Sequence, residues 1–330
     1  MPTLKRIAAG FLATLTVVTV AFGQSAAAEN ESYPTRSIEL VVPFPAGGSD
    51  AVPRRFGQYM SEKLGQPVVI MNKPGASSII ASRAVIASKP DGHTLYVATP
   101  TELAANPSLF ETVPFDALTD LTPISLLAQT PFVLLARDKA PFKNYDELIA
   151  FAKANPGKVS IGTFGAGSPP DLIAREFQRA AGIEFQMIPY QGGSQVLTGL
   201  LRGDIDLGVL TLIPTRGPIE NKSIHPIAIT LDKRAPLIPQ TPTFSEKGVK
   251  ITAGGGWALM GPKNLPKPIV EKLHQVAVAM VQDPEIVKYL QGLNIVPVGS
   301  SPDELANSLR AETKYWAETI PQLGLGKRKE

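Results

Sequence analysis

The chain has 330 residues, no cysteine, and 32 Lys plus Arg against 29 Asp plus Glu. That length buries a core without covalent staples, and the missing thiols exclude disulfide scaffolds, cysteine nucleophiles and cysteine-rich metal sites. The near-balance of charge gives no electrostatic footing for nucleic acid or an anionic membrane.

Residues 1–28 read as an export signal. Lys5 and Arg6 supply the cationic start, an uncharged and mostly apolar run follows, and Ala26-Ala27-Ala28 offers the small residues of a cleavage site near Ala28. The apolar run is short for a bilayer span, and a retained anchor is the alternative. The later segments most like spans, 121–136 and 205–213, are interrupted by Pro131 and Asp206 and fit strands better. The mature chain is expected to be soluble and periplasmic. Loss of Lys5 and Arg6 leaves 30 basic residues against 29 acidic.

Short apolar runs then alternate with amphipathic ones. Residues 38–44, 67–71 and 94–99 read as buried strands. Between them, 51–64 and 77–88 have helical spacing, with Val52, Phe56, Tyr59, Met60 and Leu64 on one face. Gly65 and Lys89-Pro90 stop these helices. Strand-helix-strand-helix-strand is the signature of a parallel sheet.

Around 121–136 two apolar runs flank Gln129-Thr130-Pro131 and read as one long strand leading into a second lobe. The alternation then resumes, with helices over 145–154, 170–181 and 193–201 and strands over 159–164, 185–190, 206–212 and 224–230. A glycine-rich approach at 251–256 leads to a further strand and helices over 268–281, 284–290 and 302–319. Asp283-Pro284 and Ser301-Pro302-Asp303-Glu304 read as helix starts, the second as a capping box. The final helices suit either lobe. A crossing near 130 and a return near 255 predict lobe 1 as 33–130 with 255–330 and lobe 2 as 131–254. Two such connections suit hinge closure on a ligand; a single continuous sheet is the alternative.

Two loops carry the functional signal. Phe44, Pro45, Ala46, Gly47, Gly48, Ser49 and Asp50 lie between a strand and a helix, where main-chain N–H groups, the Ser49 hydroxyl and the helix start are ready donors for an anion. Asp50 is expected to cap that helix. Phe164, Gly165, Ala166, Gly167, Ser168 and Pro169 make a second donor-rich turn in the same setting, with Thr163 before it. An ordinary tight turn is the alternative reading. Neither loop is a phosphate-binding GxxxxGK[ST] or a dinucleotide GxGxxG. Two such loops opening equivalent helices could clamp one small carboxylate between them.

At this point the chain resembles the periplasmic solute-binding components of tripartite tricarboxylate transporters, the TctC or Bug family. The resemblance rests on YPTRSIELVVPFPAGGSD, LGQPVVIMNKPGA, KPDGHTLYVAT, NPSLF, FKNYDELIAFAKANPGKVSIGTFGAGSPPDL, IPYQGG, LLRGDIDLGV and SPDELANSLRAETKYW, in that order across the mature chain. It implies an α/β, two-lobed periplasmic binding fold joined by two crossing strands. The implied function is capture of an organic carboxylate for delivery to membrane permease subunits, by a monomer with no cofactor or metal. It also implies that 44–50 and 164–169 surround the ligand carboxylate, with bridging water. Thr99, Tyr190, Leu210 and Trp257 complete the implied binding set.

Three departures from the family pattern stand out. The first loop lacks the threonine of the usual GGSTD, the glycine-rich continuation after Asn-x-Pro-Gly-Ala is Ser77-Ser78-Ile79, and an acid that many relatives carry is matched by Leu210. Without that acid a ligand ammonium has no obvious partner, which argues against an amino acid. Phe44, Phe164, Tyr190 and Trp257 favour an aromatic or otherwise bulky mono- or dicarboxylate if they converge, although each also suits a core. Arg54 or Arg55 is a candidate partner for a second carboxylate, Arg54 more simply bonding within its lobe, and Arg216 is a rim candidate.

Catalysis is the weaker reading. His93, His225 and His274 have no metal-ligand spacing, and no GxSxG elbow occurs. Asp50 with Asp206 is the one conceivable hydrolase pair. A secreted hydrolase acting on a small carboxylate and a non-catalytic interaction protein remain the alternatives.

Overall fold

Ile38–Val42 (β1) is buried at every position but Glu39, as expected of a strand covered on both faces. The computed structural model describes residues 33–47, 50–231 and 233–327, so the signal segment, Gly48 and Ser49 lie outside the described residues. After β1 come α1 (Ala51–Leu64), β2 (Val68–Asn72), α2 (Ile79–Ile86), β3 (Thr94–Ala98), α3 (Pro100–Leu109), α4 (Ala117–Asp120) and β4 (Leu121–Thr130). Helix α1 buries the predicted stripe and ends at Gly65. It packs closely on β2: a Cβ at Gly57 would stand 3.1 Å from the Ile70 side chain.

The long strand expected over 121–136 is two strands. Pro131 has no N–H to give to a ladder, and it separates β4 from β5 (Phe132–Arg137), which belongs to a second sheet. That sheet is completed by β6 (Val159–Thr163), β7 (Phe185–Pro189), β8 (Leu207–Thr211) and β9 (Ile224–Ile229). Its helices are α5 (Tyr145–Ala154), α6 (Pro169–Ala181), α7 (Gly193–Arg202) and α8 (Arg216–Glu220). The chain returns to the first sheet through β10 (Gly255–Pro262), followed by α9 (Lys267–Gln282), α10 (Pro284–Gly292), β11 (Val296–Pro297) and α11 (Pro302–Gln322). The strand orders are β11-β4-β10-β3-β1-β2 and β7-β6-β8-β5-β9. The fold is the expected α/β two-sheet architecture with two crossings, near 131 and near 254.

The predicted caps form. Asp283 accepts from the Glu285 and Ile286 N–H groups, and Ser301 with Glu304 makes the full capping box of α11. Helix α11 covers both sheets. Leu305 and Leu309 join a core cluster with Val41, Tyr96 and Met260 of the first sheet. Trp316, Ile320 and Leu323 enter a second cluster with Leu134, Phe177 and Val209. Helix α3, which the sequence did not suggest, joins the same second cluster through Ala104, Ala105 and Leu109.

Candidate functional site

Strand polarity fixes where the two loops lie. Strands β1 and β3 are parallel, and β10 is antiparallel to both β3 and β4, so β1, β3 and β4 end at one edge of their sheet. The chain leaves that edge through Pro131 and enters β5. Strand β5 is antiparallel to β8, and β8 is parallel to β6, so β6 and β8 end where β5 begins. Residues 43–47 with Asp50, Thr99, the 164–168 loop and the Gly254–Gly255 return therefore gather at the edges beside the crossings. Ligands of open α/β sheets sit outside such carboxyl ends.

The loops themselves share a clasp. The Gly47 N–H donates to Asp50 Oδ1 at 2.9 Å, and Arg54 Nε donates to Asp50 Oδ2 at 2.7 Å. In the second loop the Gly167 N–H donates to Asp171 Oδ2 at 2.8 Å and Arg175 Nε donates to the same oxygen at 2.9 Å. Both glycines have positive φ, 92° and 80°, where side chains other than glycine are strained. Both carboxylates are buried, 1 % and 2 % exposed. A buried aspartate beside an anion would repel it, and each arginine cancels that charge.

Two expectations are corrected here. Asp50 does not cap α1 with its side chain. Its oxygens are taken by Gly47, Arg54 and the Asn72 amide, whose other bond goes to the Phe44 carbonyl at 2.9 Å. Burial raises the Asp50 carboxyl, but the bonds from Arg54, Asn72 and Gly47 outweigh it and hold the group below the usual aspartate value. The Gly47 and Gly167 amides are committed to aspartates rather than free for a ligand. The Ser168 hydroxyl is committed too: it donates to the Gly165 carbonyl at 2.7 Å and accepts from the Asp171 N–H as the α6 cap. The rigid frame of each loop, rather than those three donors, is what the clasp supplies.

The remaining predicted residues divide into edge and core. Phe44 is half-buried and Pro45 and Ala46 are exposed on the first loop, while Ala166 is exposed and Gly165 and Ser168 half-buried on the second, with Pro169 buried at the start of α6. Phe164 is half-buried, and a Cβ at Gly193 would lie 3.2 Å from its ring. Leu210 is a core residue, 1 % exposed in a cluster with Val133, Val196 and Leu212. An acid there would be buried among aliphatic groups, so the argument from its absence loses its geometric footing. Tyr190 packs beneath α7, its hydroxyl 2.7 Å from where a Gly199 Cβ would stand, and belongs with that cluster. Trp257 is buried edge-on against Phe56, ring centroids 6.3 Å apart.

Other candidates are paired locally. Arg54 serves Asp50 and Asn72, as the within-lobe reading expected. Arg55 bonds Gln58 and Glu285, and Arg216 bonds Glu220. Asp206 is bound by Arg137 and Ser160 just before β8, at the edge opposite the loops, so it forms no pair with Asp50. His225 meets Asp138, and His93 accepts from the Thr35 N–H. Among the described residues no group of three His, Asp or Glu is placed to hold a metal.

Sequence reasoning missed Glu176, a buried carboxylate of α6. It accepts from the Thr252 and Ala253 N–H groups of the return crossing, and from the Tyr315 hydroxyl of α11. Burial raises its carboxyl despite those donors. Nearby, Glu312 of α11 accepts from Ser308 and Thr101, and the Thr101 oxygen accepts from the Gly254 N–H. Burial, reinforced by the Glu176 charge, pushes Glu312 up to about 7. Apart from the local Ser308–Glu312 bond, these partners are 76 to 211 residues apart, beyond any local signal.

Comparison with known proteins agrees with this architecture. The profile of the tripartite tricarboxylate transporter family receptor, TctC, matches residues 52–325. Protein BugT of Bordetella pertussis is 30 % identical over 316 residues, covering 95 % of this chain and 97 % of its own. Among solved structures, the periplasmic binding protein BugD is 31 % identical with a TM-score of 0.78, covering 90 % of this chain and 100 % of its own. A Rhodopseudomonas palustris protein solved with adipate is 30 % identical with a TM-score of 0.81, over 90 % of this chain and 100 % of its own. MatC of the same organism, solved with malate, is 27 % identical with a TM-score of 0.76, over 87 % and 100 %.

Proposed function

The chain belongs to the tripartite tricarboxylate transporter receptor family, TctC, and from that premise we propose that it is an exported periplasmic receptor for an organic carboxylate. Residues 1–28 are its cleaved signal. The ligand, with an aromatic or bulky body, sits between lobe 1 (33–130 with 255–330) and lobe 2 (131–254), and a membrane permease of the tripartite type receives it. The receptor works as a monomer without cofactor or turnover.

The observation that supports this reading is that both loops leave the strand edges beside the two crossings that join the sheets. Phe44 and Phe164, both half-buried, stand in or beside those loops and would be their apolar walls, and the structural relatives solved with adipate and malate bound carboxylates. The clasped aspartates keep each loop electrically neutral, so a carboxylate meets main-chain dipoles and helix starts rather than net negative charge.

Calorimetry of the purified mature protein against aliphatic, aromatic and amino-bearing carboxylates tests it. One-to-one saturable binding of a carboxylate, with no product formed, is the expected result. Binding of another ligand class while every carboxylate fails would overturn the substrate class; turnover of a bound acid would overturn the receptor reading.

A further inference from the structure

Two buried donors at the edge of the first sheet lack partners. The Thr99 hydroxyl, on a residue 5 % exposed, and the Trp257 indole N–H, on a residue 8 % exposed, make no hydrogen bond. They are neighbours by register. The β10–β3 ladder runs to Ala258 opposite Ala98, and Thr99 is still extended, so continuing the ladder one step would bring Trp257 to face Thr99. Side chains opposite each other in such a pair share a face and start about 5 Å apart. Ala98 and Ala258 face the cluster that includes Leu305 and Leu309 of α11. Alternation turns Thr99 and Trp257 to the other face, where Trp257 meets Phe56 of α1.

A buried donor left unpaired costs about 1–3 kcal/mol, so a pair of them side by side points to an acceptor that arrives from outside the chain. Orphaned atoms of Asn106, Thr252, His274 and Trp316 lie on α3, the return crossing, α9 and α11, whereas Thr99 and Trp257 fall at facing positions where β3 ends and β10 begins, beside the first loop. Both donors are neutral. One carbonyl oxygen offers two lone pairs and suits them, while a second buried carboxylate would ask for a cation.

Resting on the carboxylate reading of the cleft, we propose that Thr99 and Trp257 form a specificity subsite for a carbonyl oxygen on the ligand's body, so that the preferred ligand is an oxo-substituted carboxylic acid.

The test uses the mature protein and matched acids: pentanoate with 2-oxopentanoate and 4-oxopentanoate, and 3-phenylpropanoate with phenylpyruvate. At least one oxo acid is expected to bind tenfold or more tightly than its parent, the scale of a satisfied buried hydrogen bond to a neutral acceptor. Thr99→Val and Trp257→Phe should each weaken the oxo acid at least fivefold more than its parent, so that most of the preference is lost, and Thr99→Ser should keep it. Equal binding of oxo acid and parent, equal losses for both in the variants, or tighter binding of glutarate than of every oxo acid would overturn the subsite. Variants that bind like the wild type would assign the two donors to an internal water and overturn it too. If no acid in the set binds, while other carboxylates do, the oxo preference fails and the carboxylate reading stands; if no carboxylate binds at all, both fail.

Discussion

The two loops close on themselves in the same way and are anchored differently. Each pins a glycine N–H with a buried aspartate and neutralises that aspartate with the arginine four residues on. The first clasp is tied to its own sheet through Asn72 at the end of β2. Its arginine is half open to water. The second clasp is tied elsewhere: Arg175 reaches the Leu323 carbonyl at the end of α11, and Glu176, one residue on, holds the return crossing and Tyr315. The first loop is thus set by local packing, whereas the second answers to the C-terminal helix.

That contrast is broken most directly at the aspartates. Asp171→Ala strands Arg175, largely buried, and frees the Gly167 N–H; a loss of about 3 kcal/mol is expected, as for removing one partner of a buried pair. Asp50→Ala should cost about 2 kcal/mol, because Arg54 can turn to water and Asn72 keeps its bond to Phe44. Urea midpoints at constant m-value read both. An Asp50 loss larger than the Asp171 loss would reverse the assignment of anchors.

Protonation separates the two regions with opposite signs. Asp50 is held below its unfolded value, so its stabilisation is present above about pH 4 and is lost as pH falls through its folded value. Glu312 is raised to about 7, so the folded chain holds a proton that the unfolded chain has released, and stability falls as pH rises from the ordinary glutamate value to about 7. Glu312→Gln should therefore stabilise by about 1–2 kcal/mol at pH 8, discounted because the residue is partly open to water, and leave stability at pH 4 unchanged. A gain that is equal at both pH values would show that the carboxyl does not titrate in that window.

How far the sequence reached follows the same division. Helices 51–64 and 145–154 and the starts at Asp283 and Ser301 were legible because periodicity, caps and breakers lie within a few residues of one another. Helix α3 was hidden by Pro100 at its first position and Pro107 inside it. Asp50 was misread as a cap because its competitors, Arg54 and Asn72, include one 22 residues away. Leu210 and Tyr190 were placed in the site on resemblance, and only the packing of α7 shows them beneath it. Gly47 and Gly167 were found as loop glycines, yet the identity of their acceptors was a matter of tertiary geometry.

The helix starts test the comparison on a finer scale. Ser168 caps α6 with its side chain, whereas Asp50, at the equivalent place before α1, does not. Ser168→Ala should cost about 1 kcal/mol through the lost cap. Because its hydroxyl is donated to Gly165, carboxylate affinity should change by less than threefold. A tenfold loss of affinity with little loss of stability would mean that the hydroxyl turns from Gly165 to the ligand on binding.

The arginines give the smallest expected effect and the sharpest contrast. Arg54 spans two acceptors, Asp50 and the Asn72 oxygen, with a planar fork that lysine lacks. Arg54→Lys keeps the charge and one contact at a half-exposed position, so about 0.5 kcal/mol is expected. Arg175→Lys should lose a similar amount at the clasp but also release the Leu323 carbonyl, and with it the end of α11. Amide exchange at Leu323 to Leu325 should therefore quicken in Arg175→Lys and stay unchanged in Arg54→Lys, since local opening is reported segment by segment. Equal exchange in the two variants would mean that Ile320 and Leu323, through packing alone, hold α11 against the second sheet, and that the second loop owes its position to its own core just as the first does.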